Sequence, residues 1–506
     1  MRPSVYIIGA GPGAPDLLTI RGLRALQSAQ VVIYDRRVQP RLLDLAPASA
    51  ERIDVGSAAP PTTEQDAINF LIAEKAREGH IVARLKWGDP FLFDHGAPEA
   101  LFLHEQGIAF EVVPGVPALV AAPAFAGIPL TYPGSGDTVT FIRGFEDEGR
   151  NGPTVDWESL ARLDGTLACF AGPQLLRQVA SALLEHGRPA AESAAFVIHG
   201  TLSSQQTVTA PLGELVARVE EAGITAPGIL LVGPVIGLRD HLRWFDNRPL
   251  FGRRVLVTRS REQAPELVDL LELSGAEAVE APVLRIEGPE DAAPLEQAIA
   301  SLPSFDWVVF TSTNAVAALI GPLLADARDL RALAGPRVCA IGPGTAARLL
   351  RFGITPDTQP VDHRAPGVVA AMANAGSLRG ARVLLPVSNG SANSLADALR
   401  HAGAELTEVT AYRTITEEGD AHLGLYRQML DRRIDAVTFT SANTVRAFVE
   451  IYGTEQSPDL LSGTVVATIG PGAADAAAAA GIRVDIATEG ATVAVLVDGL
   501  IRQFRH

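Results

Sequence analysis

From residue 252 onward the chain repeats itself. "GRRVLVTRSREQAPELVDLLELSGAEAVEAPV" from 252 resembles "GARVLLPVSNGSANSLADALRHAGAELTEVTA" from 380. "FDWVVFTSTNAV" from 305 resembles "IDAVTFTSANTV" from 434, and "CAIGPGTAARLLRFGI" from 339 resembles "ATIGPGAADAAAAAGI" from 467. The three pairs of starting points (252 and 380, 305 and 434, 339 and 467) differ by 128, 129 and 128 residues. Three matched blocks in one order indicate duplication, and a period this long means two duplicated domains, not a solenoid. Two pseudo-symmetric lobes enclose a cleft, the default place for a ligand.

The rest of the chain follows the same grammar. Short β-like runs such as "VYIIGAG", "VVIYD", "IVARLKW", "VLVTR" and "WVVFTS" alternate with amphipathic helical patterns, which indicates α/β layers with largely parallel sheets. The polar, Pro/Gly-bearing stretch "WFDNRPLFGRR" (244–254) precedes a fresh strand and marks a domain seam. A net charge of -16 argues against nucleic-acid or anionic-membrane partners, which require a basic face. Cys169 and Cys339 lie in apolar runs and read as buried thiols, and the scattered histidines show no metal-ligand spacing, so no metal is expected. The start of the chain lacks the layout of a signal peptide, and the apolar stretch at 116–130 is broken by prolines and too short to span a bilayer. A cytoplasmic protein is expected.

"VYIIGAGPGAPDLLTIRG" (5–22) offers Gly9, Gly11 and Ala14 in the spacing of a dinucleotide fingerprint, with Asp35 following at the usual distance. The mechanism fails. In that fingerprint the N–H groups of a helix beginning at the second glycine hold a pyrophosphate. Here Pro12 and Pro15 remove donors, and the helix is expected to start near Asp16 or Thr19. A long, stiffened loop suits a ligand without a pyrophosphate.

With "VVIYDRRV", "VARLKWGDPFLF", "FEVVPGV", "AGIPLT" and the tail "GTLSSQQTVTAPL", this loop makes residues 3–245 resemble uroporphyrinogen-III C-methyltransferase. The "FTS-x-N" and "IGPG" blocks, with "AYRT" (411–414) between the copies, make residues 253–506 resemble uroporphyrinogen-III synthase. The resemblances imply an α/β chain in which a two-domain tetrapyrrole methyltransferase-like fold is followed by a bilobal α/β synthase with internal duplication. Residues 1–246 would form the first part, with subdomains at about 1–114 and 117–245. In the second part, residues 253–284 plus 415–506 would form one lobe and 286–412 the other. The implied ligands are S-adenosylmethionine for the first part only and small-molecule tetrapyrroles for both. A homodimer through the methyltransferase part is implied by the resemblance alone.

Methyl transfer from a sulfonium depends on positioning, and a carboxylate beside the attacking pyrrole can stabilise its growing charge and accept a proton. Asp35 matches the family's "YD" aspartate and is the catalytic candidate; a turn or cap role is the bland alternative. Donor-binding candidates are Gly11, Pro12, Gly13, Gly88 and Asp89, with Trp87, Pro117, Ala118 and Ala171 at further donor positions. Trp87, Pro117 and Ala171 depart from the family, which has glycine, threonine and methionine there. "FDHG", with Asp94 and His95, stands where the family has "FGRG". Trp87 either points into the donor pocket or caps its turn from outside. Arg37, where the family prefers an apolar residue, suits a substrate carboxylate.

For the synthase, holding a reactive linear intermediate and excluding water is the main task. N–H groups at helix starts suit its carboxylates. The candidates are Ser312, Asn314, Gly342, Gly344, Thr345, Ser441, Asn443 and Gly472; taken singly each reads first as an ordinary helix cap, and their duplication around one cleft favours binding. Tyr412 matches a family tyrosine placed to protonate the departing hydroxyl. Ala473 stands where the first copy has Thr345. Two other readings stay open: an active synthase with a donor-blind methyltransferase module, and a non-catalytic tetrapyrrole-binding protein.

Overall fold

The computed structural model describes residues 3–56, 65–144, 155–325, 329–389, 394–417, 420–488 and 492–505. Two compact units emerge. The first is Met1–Arg254 with Leu270–Glu277 and Ile501–His506, and the second is Val255–Asp269 with Ala278–Leu500. Among the described residues the strands form four five-stranded sheets.

The first sheet contains β1 (Val5–Gly9), β2 (Val31–Tyr34), β3 (Glu51–Asp54), β4 (Val82–Lys86) and β5 (Phe110–Val113), in the order β3-β2-β4-β1-β5. The ladders are parallel, so the loops after β1, β2, β4 and β5 gather at one edge, where open α/β sheets bind ligands. Helices cover such a sheet on both faces, and its central strands read as near-continuous apolar runs. Every residue of β4 is buried, Arg84 and Lys86 included.

The second sheet contains β6 (Val139–Ile142), β7 (Thr166–Ala171), β8 (Ser193–Ile198), β9 (Gln206–Pro211) and β10 (Gly228–Val232), in the order β6-β7-β10-β8-β9. The helix Ala118–Phe125, entered directly from the loop after β5, packs Ala118, Leu119 and Ala122 against Ala168, Phe170 and Ile229 of this sheet.

The second unit shows where the repeat goes. Its strands are β11 (Arg254–Val257, which starts at the unit border), β12 (Glu277–Glu280), β13 (Leu284–Glu287), β14 (Trp307–Phe310), β15 (Arg337–Ala340), β16 (Arg382–Ser388), β17 (Glu405–Thr416), β18 (Ala436–Phe439), β19 (Val465–Ile469) and β20 (Ile486–Thr488). One sheet runs β12-β11-β18-β19-β20 and the other β13-β17-β16-β14-β15. The repeat aligns β11 with β16, β14 with β18 and β15 with β19. The opening strand of each copy therefore pairs with the later strands of the other copy. The order β11-β18-β19 in one sheet is reproduced as β16-β14-β15 in the other.

Candidate functional site

The glycine loop after β1 is locked onto the turn after β4. Gly11 N–H donates to Gly88 O (3.2 Å) and Gly88 N–H to Gly11 O (2.8 Å), with both glycines at positive φ, +77° and +70°. That left-handed conformation favours glycine. The helix begins at Ile20, where Thr19 Oγ1 accepts from Gly22 N–H at 3.0 Å; Asp16 lies in a preceding 3-10 turn, Pro15–Leu17. The helix N-terminus thus lies well beyond Gly11, which leaves no pyrophosphate cradle. Ala14 N–H donates to Thr201 Oγ1 at 3.1 Å, which ties the loop to the strand connection after β8.

Trp87 points inward. Its indole N–H donates to Pro12 O at 3.1 Å, its ring lies 5.5 Å from that of Phe170, and the Arg37 guanidinium sits 5.4 Å from the ring centroid. The outward-facing alternative is not what the structure shows. Trp87, Phe170, Ala118, Arg36 and Arg37 wall two cavities. One, of about 500 Å³, is lined further by Pro12, Ala122, Ala171 and Gly228. The other, of about 410 Å³, is lined further by Asp35, Gly88, Asp89, Asp94 and Pro117. Gly11 and Gly13 are not among the lining residues. Both oxygens of Asp89 are occupied, accepting from Phe91 N–H (2.8 Å) and Gly115 N–H (2.9 Å), so its carboxylate shapes the turn.

Behind Asp35 lies a buried charge cluster that the sequence reading did not assemble. Asp35 Oδ1 accepts from Arg84 Nη2 at 2.5 Å, and Lys86 Nζ stands 3.7 Å from Asp35 Oδ2 and 3.2 Å from Asp94 Oδ1. Both basic side chains are 1% exposed and both meet Glu99, which is fully buried. Glu99 Oε1 accepts from Arg84 Nε (3.1 Å) and Nη2 (3.0 Å), Lys86 Nζ (3.0 Å) and Gln65 Nε2 (3.2 Å), while its Oε2 has no hydrogen-bond partner among the described residues. Burial works to lower the Arg84 pKa, but Glu99 and Asp35 leave it raised. Burial holds the Asp94 carboxyl above the ordinary carboxylate range, against the opposing pull of Lys86. The signal was in "VARLK": Arg84 and Lys86 share one face of an otherwise apolar strand, and Lys86 is one of only two lysines in the chain.

In the second unit a cavity of about 720 Å³ is lined by Arg259, Gln263, Asn314, Gly344, Arg348 and Arg351, among others. Gln263 Nε2 donates to Asn314 Oδ1 at 2.9 Å across the cavity wall. Burial lowers the Arg259 pKa, against Glu266, and the Arg259 Nε has no hydrogen-bond partner among the described residues. At the positions 128 residues downstream stand Val387, Ala476 and Ala479. These three cations therefore belong to one copy of the repeat, a difference legible in the alignment of the copies but not read from it.

The other candidates are not among the lining residues of that cavity, although Ser312, Gly342 and Thr345 adjoin ones that are. Ser312 Oγ lies 3.0 Å from Tyr412 Oη and accepts from Ala315 N–H at 3.1 Å; Tyr412 itself is buried in the core beside Phe310. Gly342 precedes the helix Pro343–Leu350 with φ +86°, and Thr345 is buried in its first turn. Ser441 forms a capping box with Thr444, and Asn443 Oδ1 accepts from Arg446 Nη1 at 3.1 Å. Gly472 sits in the first turn of the helix Pro471–Ala479. Cys169 and Cys339 are buried thiols, each pushed up to about 12 by burial. Among the described residues no group of three or more His, Cys, Asp or Glu is placed to hold a metal, and no helix is long and apolar enough to cross a membrane.

Residues 4–216 match the family of tetrapyrrole (corrin/porphyrin) methylases, and residues 265–498 match the uroporphyrinogen-III synthase HemD family. The porphyrin biosynthesis protein HemD of Ruminiclostridium josui is 33% identical over 452 residues, covering 88% of each chain. The uroporphyrinogen-III C-methyltransferase of Bacillus subtilis (strain 168) is 36% identical over 333 residues, 65% of this chain and 68% of that one. The crystal structure of uroporphyrin-III C-methyltransferase from Thermus thermophilus, complexed with S-adenosyl homocysteine, is 36% identical, with a TM-score of 0.40, and aligns over 46% of this chain and 99% of its own. The chain belongs to the family of tetrapyrrole-biosynthesis proteins in which a tetrapyrrole methylase is fused to a uroporphyrinogen-III synthase.

Proposed function

We propose that this chain carries out two consecutive steps. The second unit would close hydroxymethylbilane to uroporphyrinogen III, and the first would methylate that ring with S-adenosylmethionine to precorrin-2. The observation that carries the reading is the pair of adjoining cavities in the first unit, which share Arg36, Arg37 and Trp87; one adds the small residues Ala122, Ala171 and Gly228 and the other the carboxylates Asp35, Asp89 and Asp94. Each has the size of a small-molecule site.

The residues present fit the methyl donor. Ala118, Ala122, Ala171 and Gly228 give the larger cavity small, apolar walls, bordered by the indole of Trp87, against which the Arg37 guanidinium already sits. When bound, the donor supplies an electrophilic methyl group. Arg36 and Arg37 would bind substrate carboxylates, and Asp35, held by Arg84, would stabilise positive charge on the ring being methylated. In the second unit, Arg259, Arg348 and Arg351 would grip the carboxylates of the linear substrate, and the Ser312–Tyr412 hydroxyl pair would serve the departing hydroxyl.

A second reading, an active synthase with a donor-blind first unit, is favoured by one observation: Trp87 fills space between the cavities and is fixed there by Pro12. Incubating the full chain with hydroxymethylbilane, with and without S-adenosylmethionine, and weighing the products decides. The first reading requires uroporphyrinogen III without donor and its dimethylated product with donor. Uroporphyrinogen III under both conditions supports the second. The spontaneous type I isomer under both removes the synthase assignment.

A further inference from the structure

We propose that Asp94, rather than Asp35, takes the proton released when the ring carbon is methylated. The proposal rests on the methyltransferase reading of the first unit. Asp35 is poorly placed to accept a proton: its Oδ1 already accepts from Arg84 Nη2 at 2.5 Å and its Oδ2 lies 3.7 Å from Lys86 Nζ, so both oxygens face a cation. Asp94 lines the same cavity with its side chain 21% exposed. Among the described residues it pairs with Lys86 at 3.2 Å and accepts from the backbone N–H of His95 at 2.6 Å. The preceding residue, Phe93, adopts φ +57°. A bulky side chain in that region is a genuine outlier, of the sort found where surrounding structure fixes a functional loop.

The charges support the same assignment. With every group ionised, Arg84 and Lys86 oppose three carboxylates: Asp35, Asp94 and Glu99. One proton brings the cluster to neutrality, and burial already holds the Asp94 carboxyl above its ordinary range. A base with a raised pKa is better matched to proton transfer near neutrality. The groups facing Asp94 are Lys86 from β4, Asp35, Arg36 and Arg37 from the loop after β2, Arg143 after β6, and Asp89 and His95 on its own loop.

In the step itself, the carbon–sulfur bond of the sulfonium breaks and its electron pair returns to sulfur. The π pair of the pyrrole forms the new carbon–carbon bond. The resulting cation sheds its N–H proton to the Asp94 carboxylate, leaving a neutral imine and a carboxylic acid.

The test uses the full chain, D94N, D94E and D35N. Its first readout needs neither donor nor turnover: the affinity of uroporphyrin III, an octacarboxylate, measured by its absorbance between about pH 5 and pH 8, where native proteins are usually most stable. Across that range D94N, which removes a carboxylate from the cavity wall, should bind several-fold more tightly than wild type, and D94E no more tightly; D35N is the control for removing a carboxylate already held by a guanidinium. The second readout is methyl transfer, where D94N should lower kcat at least tenfold while KM falls with the gain in affinity, and D94E should restore part of the kcat. A D94N protein with wild-type affinity and wild-type kcat overturns the assignment of Asp94 and leaves the methyltransferase reading standing. A wild type that binds uroporphyrin III but transfers no methyl group at any pH overturns both.

Discussion

The two cavity systems carry charge in opposite ways. In the first unit the charges are buried and interlocked, with Asp35, Arg84, Lys86, Asp94 and Glu99 linked by contacts of 2.5 to 3.7 Å. In the second, Arg259, Arg348 and Arg351 line a cavity together with Glu262, Glu266 and Asp269, and among the described residues no salt bridge locks these arginines to a carboxylate. An interlocked cluster costs desolvation but fixes dipoles before the ligand arrives, which suits stabilising charge that develops during reaction. Unpaired cations on an open wall suit capture of an anionic ligand. The contrast is between preorganised chemistry and binding.

The largest effect should come from breaking the interlocked cluster. Glu99→Ala removes the fully buried carboxylate that Arg84 and Lys86 share, leaving Arg84 to Asp35 and Lys86 to Asp94, so the loss should lie near the lower end of the range of about 3–5 kcal/mol that breaking a buried ion pair costs. The urea midpoint of the first unit should fall accordingly. The same truncation of an open-wall cation, Arg351→Ala, should leave stability within about 0.5 kcal/mol while weakening uroporphyrin binding to the second unit. Equal stability losses for the two variants would erase the contrast.

Next in size is Ala473→Thr. From sequence this looked like restoring the hydroxyl that Thr345 supplies in the other copy. Ala473 is only 1% exposed, inside the helix Pro471–Ala479. Added atoms in a packed site cost about 1–3 kcal/mol, so the variant should lose thermal stability without gaining synthase rate. A faster enzyme would return position 473 to the ligand.

What the sequence yielded and what it withheld have physical reasons. The α/β class followed from alternating runs, and the duplication from three matched blocks. The exchange of opening strands between β11 and β16 was not in the repeat, because an offset records which segments are alike and says nothing of which strands pair; only the resemblance to the synthase family, with residues 253–284 and 415–506 in one lobe, implied it. In the first unit the glycine loop, Trp87 and Asp35 stood out because turn residues and strand ends are local signals. Glu99 did not, because it reaches Arg84 and Lys86 only after the chain has turned back into the helix Gly96–Glu105. In the second unit capping-type residues were easy to find and hard to rank. Ser441 and Thr345 have the right types and positions for ligand contact, yet the first is engaged in its own helix cap and the second is buried.

A smaller effect tests the hydroxyl pair. Tyr412→Phe removes the contact to Ser312 Oγ, worth about 0.5–1.5 kcal/mol, while Ser312 keeps its bond to Ala315 N–H. Synthase turnover should fall and the fold should persist. Combined with Ser312→Ala, non-additive losses in kcat would show the two hydroxyls acting together. Additive losses would return Tyr412 to packing.

The smallest effect asks whether the second unit, so different at its cavity, hides titratable groups in its core. His422 is buried, with its Nδ1 2.9 Å from Tyr452 Oη and its ring against that tyrosine. Burial lowers its pKa, with Glu417 pulling the other way. An unfolded imidazole titrates near ~6.5. Above that value both states are neutral, and the contribution of His422 to stability is fully present. As pH falls below it toward the lower folded value, the unfolded chain takes up a proton that the folded one resists, and the contribution is lost. His422→Gln keeps a polar partner for Tyr452 and removes the titration. The stability gap between wild type and this variant, from urea midpoints at about pH 8 and about pH 5, should narrow or reverse in acid. A gap of the same size at both would mean that His422 titrates alike folded and unfolded, and that the uncharged interior of the second unit owes nothing to keeping this imidazole neutral.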